Sequence, residues 1–458
     1  MMFDLFWQSH WRAWKAYEYP GFHAKLREMR HEDRLGRLEW ESRQAEKLRD
    51  LLRAAFRTVD YYKELFARAA FRPETADLHR ELARLPVLTK DTIRQNAEKL
   101  VSKASDRKRF RANSTGGSTG VPLNFFQDDF YATVSSALAA HIPEWWGIRP
   151  YDKTASVWGA DQDLSNMSWR ERCYLRRSRT RILNAFRMSE VELSRYARML
   201  DQWRPAYMKG YSSALEALAR HVVSSGRRPP RFNAIGSSAE MLWPEQRRLI
   251  EDTFRTPVFD FYGSREVSNL AAECPEERRL HQVSTWRYIE IVGQDGEPVP
   301  DGVAGYVAIT DASNFAMPFI RYVNGDVARV DRTPCPCGRP SPVLEELLGR
   351  STDLIRTAGG DLVHGEFFTH LFYGRHDILQ FQVQQVSLDR LIVRYIPTNA
   401  SQPPSLSEAV EQIRDRMGQS VHIEIRACRE IPLLPSGKRR FTVSDVSGVE
   451  KTSSQSVS

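Results

Sequence analysis

Apolar residues recur at helical spacing through the first hundred positions. Residues 39–66 alternate apolar and charged positions, with Leu48, Leu51, Leu52, Ala55, Phe56 and Val59 at helical intervals, and predict helix. A polar, basic stretch at 102–109 follows. The middle of the chain then changes rhythm. Residues 212–225 predict a helix that starts on serine and stops before Gly226. Residues 232–235 and 258–262 are short apolar runs ending in Gly/Ser loops, and residues 244–254 between them predict a helix. Strand–helix–strand order implies a mostly parallel sheet. Residues 288–292 and 306–310 predict two more strands joined by a Gly/Pro/Asp-rich turn, an antiparallel addition. Past Gly349, residues 378–386 and 390–396 read as a hairpin and 421–427 as a strand. Between them, 405–417 reads as a helix with a Ser405/Glu408 capping box and Gly418 at its end. The expected fold is α/β. A large N-terminal domain with mixed sheets and flanking helices spans 1–348, its first hundred residues a helical lead-in. A small, mobile α+β domain spans 349–445, and a Ser-rich disordered tail spans 446–458.

Composition narrows the class. A chain of 458 residues exceeds one ordinary core, so at least two domains are expected. With 41% hydrophobic and 27% charged residues the chain is globular, not disordered. No apolar run approaches the roughly 18–20 residues of a membrane helix, and Asp4, His10, Arg12 and Lys15 break the layout of a secretory signal. A cytoplasmic protein is expected. Five cysteines, Cys173, Cys274, Cys335, Cys337 and Cys428, do not make a disulfide framework in a chain this long. The net charge of +8 and a pI near 9.2 permit an anionic partner without selecting one. Arg170, Arg172, Arg176, Arg177, Arg179, Arg181 and Arg187 concentrate that charge. They are either a solvated face or a contact for phosphates, a polyanionic carrier or a membrane surface. No nucleic-acid module accompanies them.

The densest local signal is the segment 113–122, with Ser114, Thr115, Gly116, Gly117, Ser118, Thr119 and Gly120 in succession. Glycines allow backbone N–H groups to converge on an anion, and hydroxyls add donors. A Walker A loop is excluded because the lysine is missing. Residues 116–120 match G-x-S-x-G formally, so an esterase built on Ser118 remains a rival. The basic run before the loop and Pro122 after it are the wrong context for a nucleophile elbow. A surface loop is the plain alternative.

The loop resembles the signature of adenylate-forming enzymes, the superfamily of acyl–coenzyme A synthetases and adenylation domains. The nearest likeness is to its phenylacetate–coenzyme A ligase-like branch, including CapK-like proteins of polysaccharide biosynthesis. Further segments agree in order over roughly residues 40–445. Residues 236–240, with Ser238 and Glu240, resemble the segment that packs on adenine. Tyr262, Gly263, Ser264, Arg265 and Glu266 resemble Y-G-x-T-E, with Arg265 in place of the threonine. Residues 321–326 resemble R-Y-R-T-G-D, and Val323 and Asn324 depart from it. Residues 348–355 resemble the hinge motif G-R-x-D-D-x-I, with Thr352 at the usual hinge position, and 358–361 continue the match. Residues 435–438 resemble P-x-G-K.

The resemblance implies ATP-dependent activation of a small-molecule carboxylic acid to an acyl-adenylate, then transfer to a thiol such as coenzyme A. It assigns phosphates to the 114–120 loop, Mg²⁺ to Glu266, adenine to Tyr262, ribose to Asp326, further nucleotide contact to Arg350, and the catalytic lysine to Lys438. Cys274, His281, Cys335 and Cys337 form a soft ligand set, three thiols and one imidazole, that suits structural zinc. The branch often carries this pattern, and free thiols are the alternative. The aromatic-rich region 125–169 is either an acyl pocket or core. Beside the esterase, three rivals remain: a carrier-protein thiol, sugar amine or hydroxyl as acceptor, AMP transfer to a non-carboxylate, and a catalytically idle scaffold. The acid, the acceptor and the oligomeric state are not legible.

Overall fold

The computed structural model describes residues 2–104, 109–115, 123–159, 167–185, 187–350, 355–359, 362–363, 365–372, 375, 377–399, 401–431 and 441–446. The first hundred residues form α1 (Met2–Glu18), α2 (Phe22–Glu32), α3 (Arg37–Thr58), α4 (Asp60–Arg68), α5 (Leu78–Ala83) and α6 (Lys90–Gln95). Leu48, Leu51, Leu52 and Ala55 are fully buried, as their i, i+3, i+4, i+7 spacing requires. The run 39–66 is two helices, not one. Val59 adopts extended φ −120°, closes α3 with a 2.9 Å bond from its amide to the Ala55 carbonyl, and hands over to Asp60. These helices pack against the sheet. Trp11, Leu48 and Tyr62 share one apolar core with Val307, Ile309 and Tyr322 from the sheet. Leu88 joins the sheet backbone, donating to the Arg321 carbonyl and accepting from the Val323 amide, each at 2.9 Å.

A hairpin of β1 (Arg111–Ser114) and β2 (Asn124–Gln127) leads into α7 (Asp129–Trp145). The main sheet then begins with β3 (Thr154–Val157), α8 (Trp169–Arg177), β4 (Thr180–Leu183), α9 (Glu190–Trp203), β5 (Tyr207–Gly210), α10 (Ser212–Ser224), β6 (Ala234–Ser237), α11 (Pro244–Phe254) and β7 (Val258–Tyr262). It continues through β8 (Ala271–Glu273), β9 (Leu280–Gln282), β10 (Arg287–Val292), β11 (Gly305–Asp311), β12 (Tyr322–Asp331) and β13 (Val343–Arg350). The strand order is β10-β11-β12-β13-β9-β8-β7-β6-β5-β3-β4. The half from β4 to β7 is parallel and the rest antiparallel, as the two sequence rhythms predict. β6 lies two residues later than its apolar run. Pro229 and Pro230 offer no amides, and Phe232 turns into the core against Phe254 at 5.5 Å. Gly236 falls inside the strand because the Tyr207 hydroxyl lies 2.1 Å from where a Cβ would stand.

After β14 (Ile355–Arg356), β15 (Leu362–Val363) and α12 (Gly365–Phe372), a separate mixed sheet forms from β16 (Ile378–Ser387), β17 (Arg390–Pro397), β18 (His422–Ala427) and β19 (Thr442–Ser444). α13 (Ser407–Met417) covers it. Its own core includes Phe368, Phe381, Val383, Leu391, Val393 and Ile413. The Ser405/Glu408 capping box does not form. Leu406 occupies the N-cap and is buried, so apolar anchoring sets the helix start, while Glu408 accepts from Gln412 at 3.3 Å. Gly418 ends the helix at φ +106°, as expected.

Candidate active site and metal cluster

Parallel strands of an open α/β sheet leave a crevice beyond their carboxyl ends, where ligands bind. Tyr262 ends β7 at that edge. Its hydroxyl donates to Asp326 Oδ2 at 2.6 Å, and Asn324 Nδ2 donates to both of those oxygens, also at 2.6 Å. Arg350 Nε approaches the other oxygen, Asp326 Oδ1, at 2.8 Å, and its Nη1 donates to the Asn324 carbonyl at 3.3 Å. The sheet makes this meeting possible, since Asp326 on β12 pairs directly with Arg350 on β13. Burial, and then the Asp326 charge, push the Tyr262 hydroxyl well above its ordinary range, so it stays a donor.

Glu266 lies on the loop after β7 and is buried. Its Oε1 accepts from the Tyr322 hydroxyl at 2.8 Å, and Gln127 Nε2 fixes its backbone carbonyl at 3.1 Å. Burial, then the charge of Glu266, raise the Tyr322 hydroxyl well above its ordinary range. Gly263 is required where it stands, because a Cβ would meet the Asn269 amide at 2.7 Å. Ser264 closes the same turn, accepting from the Val267 amide at 3.1 Å.

Ser114 and Thr115 begin the glycine- and hydroxyl-rich segment. Thr115 donates its amide to the Leu123 carbonyl at 3.0 Å and accepts the Leu123 amide on Oγ1 at 2.9 Å. Arg265 Nε donates to Asn113 Oδ1 at 3.3 Å, so the residue in the threonine position ties the loop base to the Glu266 segment. Gly116, Gly117, Ser118, Thr119, Gly120, Thr352, Gly360, Asp361 and Lys438 lie outside the described residues.

Several sequence-predicted residues do structural work. Ser238 Oγ donates to the Phe261 carbonyl at 2.5 Å. Glu240 accepts from the Ser213 amide at 3.0 Å and from Ser212 Oγ at 3.3 Å, capping α10. Arg321 is buried against Glu290 at 3.2 Å and donates to the carbonyls of Ala83 and Gly296. In the aromatic-rich region, Phe125, Trp145 and Trp146 are core, whereas Trp169 is 77% exposed.

Two residues at this edge escape the sequence reading. Asn324 is a departure from the motif there, yet it bridges the Tyr262–Asp326 pair. Lys209 sits in β5 opposite Ser156 and Gly236, half-buried, and burial lowers its pKa. Its Nζ has no hydrogen-bond or ion-pair partner among the described residues. A lysine inside a strand of a sheet covered on both faces is the signal that marks it.

The Cys/His set comes together as expected. Cys274 follows β8, His281 lies in β9, and Cys335 and Cys337 share a tight turn after β12. All four ligand atoms lie within 4.8 Å of one another, with Cys274 Sγ and Cys335 Sγ 4.0 Å apart and Cys337 Sγ 3.3 Å from His281 Nε2. Four ligands on a tetrahedral zinc at about 2.0–2.3 Å stand roughly 3.5–3.8 Å from one another, so this set fits the ion. Ser341 Oγ lies 3.4 Å from the other ring nitrogen, His281 Nδ1, and can orient the imidazole.

The geometry agrees with the likenesses the chain shows. The CapK C-terminal domain family matches residues 355–445. Protein CapK of Staphylococcus aureus is 23% identical over 372 residues, 79% of this chain and 80% of that protein. A phenylacetate–coenzyme A ligase of Pseudomonas putida is 25% identical over 421 residues, 89% of this chain and 87% of that one. Among solved structures, 2-hydroxyisobutyryl-CoA ligase in the postadenylation state superposes with a TM-score of 0.68 at 20% identity, covering 91% of each chain, a likeness of fold. Over most of its length the chain thus resembles the adenylate-forming enzymes, in sequence at the level of these relatives and in fold. Among them the likeness is to the phenylacetate–coenzyme A ligase-like and CapK-like proteins.

Proposed function

We propose that this protein is an AMP-forming acid ligase that activates a small carboxylic acid with ATP and passes the acyl group to a thiol, coenzyme A. The observation that carries the reading is the Tyr262–Asn324–Asp326–Arg350 cluster at the carboxyl edge of β7, beside a buried Glu266. The relatives named as coenzyme A ligases support the same reading.

The substrate carboxylate attacks the α-phosphorus of ATP. An acyl–phosphate bond forms, the bond to the bridging oxygen breaks, and pyrophosphate leaves. The thiol then attacks the acyl carbon, yielding a thioester, AMP and a proton. Tyr262 offers its ring face to adenine. Asp326, its Oδ2 already taken by Tyr262 and Asn324, accepts from the ribose hydroxyls on Oδ1 beside Arg350, which stays next to the nucleotide. The 114–120 loop cradles the outer phosphates with backbone amides and hydroxyls. Lys438 neutralises charge building on the α-phosphate and carboxylate. Glu266 would hold Mg²⁺. Tyr322 engages one of its oxygens, and no partner to the other is found among the described residues. The metal would neutralise phosphate charge. Cys274, His281, Cys335 and Cys337 would hold zinc as a staple between the 274–281 hairpin and the turn after β12.

In this reading residues 1–348 hold the nucleotide and acid, and residues 349–445 carry Lys438 and move between the half-reactions. The rival acceptor is a sugar amine or hydroxyl, which the resemblance to CapK-like proteins alone suggests. ATP–pyrophosphate exchange with a panel of aryl, hydroxy and fatty acids tests the first step. Exchange that requires an acid and collapses in Lys438→Ala is the expected result; exchange untouched by that change refutes the assignment. Coenzyme A consumption after adenylation then separates the two acceptors.

A further inference from the structure

The arginine-rich segment folds as an outer helix with aromatic company. α8 has no buried residue, although a capping box fixes its start, Glu171 Oε2 accepting from the Ser168 amide at 2.6 Å. It lies beside α1. Trp14 meets Tyr174 edge-on at 5.0 Å, Lys15 Nζ is 3.4 Å from the Tyr174 hydroxyl, and the Arg179 guanidinium covers Trp7 at 4.7 Å. With Tyr174 turned to α1, Trp169, Arg172 and Arg176 at i, i+3, i+7 share the opposite, outward stripe. On α1, Leu5, Phe6 and Tyr17 stand 56%, 62% and 84% exposed, and Trp169 on α8 is 77% exposed.

The charge here is unbalanced. Residues 167–187 carry seven arginines and one glutamate, a net +6 within a chain whose total is +8. Many arginines elsewhere in the fold pair with carboxylates, Arg53 with Glu74 and Arg247 with Glu273 among them. Among the described residues, the guanidinium groups of Arg170, Arg172, Arg176 and Arg177 make no ion pair or hydrogen bond. Glu171 is the acidic residue of α8, and it is taken up by the cap. Behind α1 the surface continues into a groove of about 470 Å³ between α1, α2 and Tyr151, floored by Trp11 and Leu26 and edged by Arg12 and Arg27.

Cations interleaved with protruding tryptophan and phenylalanine match the interface of an anionic bilayer. There, rings sit at headgroup depth and guanidinium groups meet phosphates. A single-strand nucleic-acid site stacks its aromatics in a basic groove, whereas Phe6 and Trp169 project from convex helices. We propose that α1 and α8 form a peripheral docking surface for the anionic headgroup plane of a lipid membrane. The attachment is superficial, since no described helix is long and apolar enough to cross a membrane. It stands independently of the ligase reading.

The test is co-sedimentation of the purified full chain with two vesicle types, phosphatidylcholine alone and phosphatidylcholine with about a third phosphatidylglycerol. The expected result is binding to the anionic vesicles alone, weakened by salt. R172E/R176E should lose at least about 25-fold in affinity, about fivefold per arginine removed. F6S/W169S should lose about tenfold or more. Both variants should keep the wild-type melting temperature, because the four side chains are outside the core. Equal binding to both vesicle types, no binding at low salt, or variants that bind like wild type would each overturn the proposal. So would a patch that captures nucleic acid or an acidic protein while ignoring vesicles.

Discussion

The hydroxyl of Tyr262 and the carboxylate of Asp326 meet at 2.6 Å where β7 ends, joining two stretches of chain far apart in sequence. Asn324 and Arg350 complete the same acceptor group, so Asp326 receives three donors in a buried position. Removing a shared acceptor strands its donors, which costs about 1–3 kcal/mol for each one left unsatisfied. Asp326→Ala should therefore lower the melting temperature and reduce ATP affinity at least tenfold. Tyr262→Phe removes two bonds but leaves Asp326 with Asn324 and Arg350, so it should cost only about 1–2 kcal/mol while weakening ATP binding modestly. Calorimetric titration of ATP beside thermal melts checks both. Equal effects of the two changes would count against Asp326 as the ribose acceptor.

Glu266 makes a separable case. Among the described residues its side chain bonds to Tyr322 alone, and a buried carboxylate with an open oxygen suits a hard cation. Glu266→Gln keeps that bond and removes the charge. Pyrophosphate exchange should fall by about a hundredfold or more, and the Mg²⁺ concentration for half-maximal activity should rise. ATP binding without Mg²⁺ should stay near the wild-type value. An unchanged Mg²⁺ dependence would remove Glu266 from the metal site.

Much of this was legible in the chain because local rules agreed with the fold. Residues 244–254 and 258–262 form the helix and strand their pattern predicts, and the Cys/His set converges as its ligand chemistry suggests. The misses share a cause. At Leu406, burial in the small core outweighed the Ser405/Glu408 cap, and at β6 two prolines and Phe232 displaced the strand. Asn324 matters only through the Tyr262 and Asp326 groups that the sheet brings beside it, and single-residue chemistry does not reveal such neighbours.

The four-ligand cluster predicts metal stoichiometry. Purified protein should contain about one zinc per chain by atomic emission, matching one closed tetrahedral set. Cys335→Ser should lose most of it. A chelator should lower the melting temperature by several degrees, because the ion ties the 274–281 hairpin to the turn after β12. A zinc-free protein with unchanged melting in Cys335→Ser would leave the cluster as buried thiols.

His141 on α7 ties that helix to Asp33 at the end of α2. His141 is buried, with Nε2 3.1 Å from Asp33 Oδ2 and Nδ1 3.4 Å from Glu144 Oε2. Burial alone would lower its pKa. The bonds to Asp33 and Glu144 outweigh it and raise the value from 6.5 to about 9. A raised folded-state pKa stabilises fully below the unfolded value and loses that contribution as pH climbs through the folded one. The imidazolium should thus stabilise the fold by about 3 kcal/mol near pH 6, with the benefit fading between pH 6.5 and about 9. Burial lowers Lys15 to about 8 and raises Asp260 to about 8, so both titrate across the same range. The difference between wild type and His141→Gln is therefore the quantity to follow. Urea unfolding from pH 6 to 9.5 (about half-unit steps) should show the wild-type advantage shrinking toward high pH. A constant difference would mean that His141 is neutral in the fold and that Asp33 and Glu144 hold it only by position.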